Sequence, residues 1–411
     1  MSTPPAENGC YYPALDGLRA VSMLMIFQIH YLPGLLNWGW AGVDFFFVLS
    51  GFLITGILYD TRETAHRLRN FYGRRVLRIF PLYYGVLLIG WMMTPIFHWI
   101  WHPAWILWPL YLGNYARFIW IGDFTRTGGP IPHLWSWMGP LENLYSPLPF
   151  KTPVILMFQH FWSLCIEEQF YLIWPPVVFL IGVRTRLRDL CLAMMILVLA
   201  ARVICLYTVP PLYLGVDLLY RTTIFRLDAL LFGGMLALML RGPEAVWLIR
   251  FRKLALVVIL CGFATFEIAY RVMAGRAYPA ELNSDGITTL GLTALDLLGG
   301  ALLLVALDEA SIVYRLLTLK PLRRLGKISY GFYVLHQIPE ALYSTWVRRF
   351  YGHFGLIHGQ RFAFAALGFS ATLVLSILSF RFFEQPFLRM KSRFVAVPRE
   401  ALQEQCREVR T

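Results

Sequence analysis

Arg19 and His30 lie eleven residues apart in one apolar segment. A helix there would carry both on one face, roughly 16 Å and three turns apart. Neutral imidazole near pH 7 can take a proton from an attacking hydroxyl, so His30 is a candidate general base. The plainer alternative is that His30 bonds a neighbouring backbone group while Arg19 snorkels to lipid phosphate. His336 competes for the same role: it shares a stripe with Ser329, Tyr333 and Gln337, and from position alone it is equally a structural histidine.

Other chemistry-bearing residues recur at helical spacing. Ser163, Glu167 and Tyr171 repeat every four residues on one face, with Glu168 beside Glu167. They line a pocket or form a buried polar network. Arg75 and Arg78 are one turn apart, with Arg74 adjacent, a pattern that suits phosphate through guanidinium forks and equally serves to hold a loop inside the cell. Asp44 is placed to orient a histidine or to cap its helix, and Ser50 with Gly51 lines a pocket or lets two helices approach. Arg226 and Asp228 are two apart, about 200° around a helix, so each needs a partner from another element.

These residues matter because of where they sit. Of 411 residues 58% are hydrophobic, 16% aromatic and only 15% charged, against about 25% charged in a soluble protein. That excludes disordered and fibrous classes and disfavours a water-soluble globule. The chain reads as an all-α, polytopic bundle of about ten transmembrane helices near 14–33, 42–60, 79–100, 161–183, 189–208, 221–240, 254–273, 286–308, 327–347 and 361–383. Residues 101–160, rich in Trp but broken by Pro103 and Pro109, are assigned to an outer-face excursion. An ionisable group inside such a bundle usually faces a cavity and marks function.

The net charge of +13 could suggest nucleic acid. Its distribution argues otherwise: 25 of the 37 Lys and Arg, with Arg19 near the inner end of the first segment included, fall on the side of 61–78, 184–188, 241–253, 309–327 and the termini, and nine on the other. The positive-inside bias then puts both termini in the cytoplasm. Six cysteines without a CxxC spacing are expected as free thiols, holding neither metal nor disulfide. No cleavable signal is expected, since residues 1–13 carry no basic residue. One membrane domain, 1–383, is expected to be followed by a short basic cytoplasmic tail, 384–411, with no soluble second domain.

Several segments together bring a family to view. LDGLRA ending at Ala20 and followed by His30, GVDFFFVLSGFLIT at 42–55, RRVLRIFPLYY at 74–84, FWSLCIEEQFYLIWP at 161–175, ISYGFYVLHQ at 328–337 and FFEQPF at 382–387 occur in this order. In that order they resemble the acyltransferase-3 family of integral membrane O-acyltransferases, over most of the chain. The resemblance implies transfer of an acyl group, often acetyl, from cytoplasmic acyl-CoA to hydroxyls of sugars, lipid-linked glycans, peptidoglycan or secondary metabolites, in a bacterial inner membrane. It implies His30 as base or transient acyl carrier, Arg19 as its companion, Arg75 and Arg78 (with Arg74) as CoA contacts, and Glu167, Glu168, Arg226 and His336 as pocket residues.

No bound cofactor or metal is expected; acyl-CoA is the donor substrate and the bilayer the surroundings. Some members of the family carry a fused hydrolase-like domain, for which this chain lacks room, so the membrane domain would complete the reaction or hand the acyl group to a separate protein. A secondary transporter or flippase would also contain intramembrane Arg, Glu and His, but no inverted repeat is visible.

Overall fold

The computed structural model describes residues 11–32, 35, 38–97, 106–116, 158–209, 216–274, 287–339 and 360–394. Among these, the regular structure is helical. The helices are α1 (Pro13–Tyr31), α2 (Gly42–Asp60), α3 (Arg67–Phe97), α4 (Trp162–Ile181), α5 (Arg184–Thr208), α6 (Leu227–Met239) and α7 (Ala245–Ala274). They continue with α8 (Leu292–Ala306), α9 (Ile312–Leu317), α10 (Lys320–Lys327), α11 (Ser329–Leu335), α12 (Gln360–Leu378) and α13 (Gln385–Arg389). The chain is an all-α bundle of transmembrane helices, as its apolar runs predict.

Each of the ten expected spans has a helix within it, but the count is not reached as such. Six helical segments among the described residues are long and apolar enough to cross a membrane: Gly39–Asp60, Arg67–Met93, Trp162–Ile181, Arg184–Thr208, Thr288–Ala306 and Phe362–Arg393. In α1 the apolar run is diluted by Asp16, Arg19, Gln28 and His30. Helix α6 has only 13 residues, and α11 only seven before His336, with 340–359 outside the described residues. The expected loop 61–78 is also shorter than read. Helix α3 starts at Arg67, so Arg74, Arg75 and Arg78 stand inside a helix rather than at its entrance.

Helix α2 is the centre and α5 the periphery: 78% of the apolar window of α2 is buried, against 17% of that of α5. The tightest approach is between α2 and α6. A methyl group at Gly51 would lie 1.8 Å from the Leu230 carbonyl oxygen, and one at Gly233 would lie 1.9 Å from the Val48 carbonyl oxygen. Two glycines facing each other's helix backbone leave no room for a Cβ, which is how small residues bring membrane helices together. Gly51 therefore serves packing.

Ion pairs join the end of α2 to the end of α6, and the start of α7 to the start of α5 and the end of α8. Arg241 donates to both carboxylate oxygens of Asp60, at 2.6 and 2.7 Å. Glu244 accepts from Arg184 at 2.6 Å and from Arg188, and Asp308 pairs with Arg252 at 2.8 Å and Lys253 at 3.3 Å. All of these residues belong to the side that the basic count assigns to the cytoplasm.

Within the expected excursion 101–160, residues 106–116 and 158–160 are described. They form short turns in which Trp108 is buried and its carbonyl accepts from Tyr83 Oη at 2.7 Å. Trp101, Trp105, Trp120, Trp135 and Trp137 lie outside the described residues, as do 395–411. The start of the expected tail is packed: α13 lies against α3, and the Glu384 carboxylate abuts Gly331. Four cysteines are described, 165, 191, 205 and 261, and all are free.

Candidate active site

His30 sits in the last turn of α1, where it meets a histidine from each of two other elements. The rings of His30 and His336 have centroids 5.2 Å apart, and those of His160 and His336 4.7 Å. His160 belongs to the short turn Gln159–Phe161 that leads into α4, and His336 follows α11. Gln337 lies between two of them: its amide oxygen is 2.7 Å from His160 Nδ1 and its amide nitrogen 3.2 Å from both ring nitrogens of His30.

The surroundings fix these rings. His336 Nδ1 is 2.6 Å from the Tyr333 carbonyl oxygen, so it carries the proton and donates. His336 Nε2 is then the lone-pair nitrogen, and it is sealed with no hydrogen-bond partner among the described residues. Tyr31 Oη donates to the His336 carbonyl at 2.7 Å, Tyr333 Oη donates to the His160 carbonyl at 2.7 Å, and Ser163 Oγ lies 2.6 Å from Tyr333 Oη. His30 remains half-buried, whereas His336 is 1% exposed. Of the two, His30 is the one with exposed surface. Arg221 stands within electrostatic range of His30 and of Tyr333.

About 16 Å down the bundle, eleven residues along α1, lies a second group of polar side chains. Arg19 is within electrostatic range of Arg75, Arg78 and Tyr171, and Glu167 of all three arginines. Ser50 and Tyr171 share a short hydrogen bond, and Ser50 also bonds Glu167. The Arg75 guanidinium lies over the Tyr171 ring, 5.2 Å from its centroid. Arg74, Arg75 and Arg78 fall on one side of α3, with Arg78 between the other two in helical angle. Arg19, Ser50, Arg75, Arg78, Glu167 and Glu168 are all half-buried, so they line accessible space rather than a sealed core. One carboxylate oxygen of Glu168 is buried with no hydrogen-bond partner among the described residues.

Helix α4 joins the two groups. His160 stands just before it, Ser163 in its first turn faces Tyr333, and Glu167 and Tyr171 face the arginines. The stripe read from the sequence is one face of this helix, and it runs antiparallel to the Arg19-to-His30 face of α1.

Two expected pocket residues sit elsewhere. Asp44 neither orients a histidine nor caps α2: it forms a fully buried ion pair with Arg226. Asp228 pairs with Arg202 of α5, which also reaches the Thr289 carbonyl at 3.4 Å and Thr293 Oγ1 at 3.3 Å. Arg226 and Asp228 do find partners from other helices, as their 200° separation requires. The buried Asp296 lies in the same electrostatic neighbourhood. Sequence reasoning placed Gln337 on the stripe of His336 without giving it a role, and it gave none to His160, Arg221 or Asp296. Among the described residues no group of three His, Cys, Asp or Glu side chains is arranged to hold a metal ion.

Comparison with known proteins matches this layout to a family. The acyltransferase domain of the acyltransferase-3 family matches residues 12–381. Peptidoglycan O-acetyltransferase OatA of Listeria monocytogenes is 31% identical over 392 residues, covering 92% of this chain and 56% of that protein. Putative peptidoglycan O-acetyltransferase YrhL of Bacillus subtilis is 30% identical over 388 residues, covering 92% and 55%. O-acetyltransferase OatA of Staphylococcus aureus is 26% identical over 337 residues, covering 79% and 50%. The chain thus spans about half the length of the curated relatives it matches. No solved structure matches it. The family match extends from the residue before α1 to the turn that follows α12, across every side chain of both polar groups, and the chain belongs to the acyltransferase-3 family.

Proposed function

We propose that the chain is a membrane O-acetyltransferase that carries an acetyl group from cytoplasmic acetyl-CoA to a hydroxyl of a glycan, with peptidoglycan as the first acceptor to test. The observation that carries this reading is the pairing of a three-arginine group with a histidine group about 16 Å apart, along matching faces of α1 and α4. The arginines suit the phosphates of CoA. The distance between the groups suits a donor whose thioester lies at the end of a long arm. His30 takes the proton of the acceptor hydroxyl as its oxygen attacks the thioester carbonyl. The tetrahedral intermediate collapses, the C–S bond breaks, and the imidazolium returns the proton to the thiolate of CoA. The names of the curated relatives support peptidoglycan as acceptor. The reaction class is tested by incubating purified protein with acetyl-CoA and muropeptides and following free thiol. A transporter or flippase consumes no thioester.

The reading needs the arginines inside the cell, with both termini and residues 61–78 cytoplasmic and 101–160 outside. An impermeant thiol reagent applied to intact cells is expected to label a cysteine introduced at position 130 and to spare one at position 70. The opposite pattern reverses the orientation.

Replacing Arg75 and Arg78 together with alanine is expected to raise the KM for acetyl-CoA by about tenfold or more. A charge-assisted hydrogen bond contributes about 1.5–3 kcal/mol, and each 1.4 kcal/mol is tenfold in affinity. Lysine at both positions should rescue only part of the loss, since it offers a point charge and no fork. An unchanged donor KM in folded protein returns the pair to topology alone.

A further inference from the structure

Asp16 is a buried carboxylate in the first turn of α1, and each of its oxygens is held by a different side chain. Oδ1 accepts from Arg19 Nη1 at 3.3 Å, and Oδ2 accepts from Tyr11 Oη at 2.8 Å. Arg323 of α10 donates in turn to Tyr11 Oη at 3.1 Å, and its guanidinium lies over the Tyr11 ring, 5.8 Å from the centroid. The backbone beneath this relay is clamped. A methyl group at Gly326 of α10 would lie 1.9 Å from the Asp16 carbonyl oxygen, and one at Gly17 would lie 2.0 Å from the Leu317 carbonyl oxygen at the end of α9. The turn of α1 that carries Asp16 is thus seated directly on the backbone of α9 and α10, with no room for a Cβ at either contact.

Arg19 needs such an anchor. Its guanidinium stands within electrostatic range of those of Arg75 and Arg78, which repel it, and its side chain is 23% exposed. Bonded to Asp16 through Nη1, it keeps its other N–H groups for a ligand; they make no hydrogen bond among the described residues. We infer that Asp16 is the positioning residue of Arg19: braced by Tyr11 and by Arg323 of α10, it aims this guanidinium at the place where Arg75 and Arg78 meet the phosphates of the donor. The inference rests on the reading of the three arginines as the CoA site. A carboxylate beside an anion site opposes the ligand by its charge, so Asp16 helps the donor to bind only through the geometry it imposes on Arg19. A negative charge in the first turn of α1 also suits the helix dipole, but that role acts on stability and not on the donor.

The test is the Kd for CoA, measured by titration calorimetry on the purified full chain, for Asp16→Asn alone and together with Arg19→Ala. Asparagine keeps the size and removes a negative charge, so binding tightens if Asp16 contributes charge alone. Loss of a positioning residue should instead weaken binding about three- to tenfold, and Asp16→Glu, which restores the carboxylate, should recover part of the loss. Arg19→Ala should weaken binding about tenfold. Adding Asp16→Asn to it should cause no further loss, because the residue through which Asp16 acts is gone. If Asp16→Asn lacks a thermal unfolding transition, Tyr11→Phe carries the test, since it removes only the hydroxyl on Oδ2 from a residue 40% exposed. It should weaken binding about twofold in the parent and not at all in Arg19→Ala. Unchanged or tighter binding in folded Asp16→Asn, or in Tyr11→Phe where that variant is used, overturns the positioning role, as does an equal loss in the parent and in Arg19→Ala. Failure of the underlying reading is a different result: Arg19→Ala then binds CoA as the parent does.

Discussion

Replacing His30 with glutamine should lower acetyl transfer by about 10²- to 10⁴-fold, the usual share of a positioned proton acceptor. Binding of CoA should be nearly unchanged, since Arg19, near which Arg75 and Arg78 of α3 stand, is eleven residues away along α1. Glutamine keeps much of the size and hydrogen bonding of the ring and removes only its ability to shuttle a proton. If His30 is the base proposed, acetyl transfer by the parent protein should fall as the pH drops through protonation of the imidazole, because a base must be neutral to act. His336 is the contrasting case. Its Nδ1 donates to the Tyr333 carbonyl and its Nε2 is sealed from solvent, so no hydroxyl reaches it without a rearrangement of the bundle. His336→Gln should reduce stability and turnover together, and a large loss of turnover in stable His336→Gln with none in His30→Gln would move the base to the segment after α11.

The second large effect is on folding. Arg226 and Asp44 pair with neither side chain exposed, and Arg226 also lies over the rings of Tyr220 and Phe47, 4.9 and 5.6 Å from their centroids. Removing one partner leaves the other as an uncompensated charge in a sealed interior, so Arg226→Leu or Asp44→Leu alone should cost about 3–5 kcal/mol. The double replacement, which removes both charges of the pair, should recover much of that. The thermal midpoint of the solubilised protein reads the difference. Single variants that keep their midpoint while losing turnover would show that the pair serves the reaction rather than the bundle.

The contrast between these two cases explains what the sequence could and could not reveal. Helix positions were legible because the bilayer demands long apolar runs, and ten of them stood out. Boundaries were less so: Arg67 to Arg78 looked like a loop because they are basic, yet basic residues cost nothing in a helix that extends beyond the hydrocarbon. Periodicity along one helix correctly grouped Ser163, Glu167 and Tyr171, and Arg19 with His30. It carried no information on which residues of different helices meet. Asp44 was free to be a cap or a histidine partner, and its pairing with Arg226, 182 residues away in sequence, is a property of the packing of α2 against α6. His160 and Gln337 were visible letters, but the amide bridge between His30 and His160 exists only when α1, the turn before α4 and the segment after α11 converge. Arg221, at the boundary of an expected loop, carried no signal that would direct it towards His30.

The most direct test of the account follows both ends of the reaction in proteoliposomes holding the purified full chain. With acetyl-CoA carrying a labelled acetyl group on the face where Arg75 and Arg78 open, and muropeptides on the opposite face, label should appear on the muropeptides. It should do so mole for mole with free CoA thiol, and His30→Gln should reduce both to the level of empty liposomes. Label transfer undiminished in His30→Gln, or no thiol released by the parent protein while its fold is intact, would contradict the account.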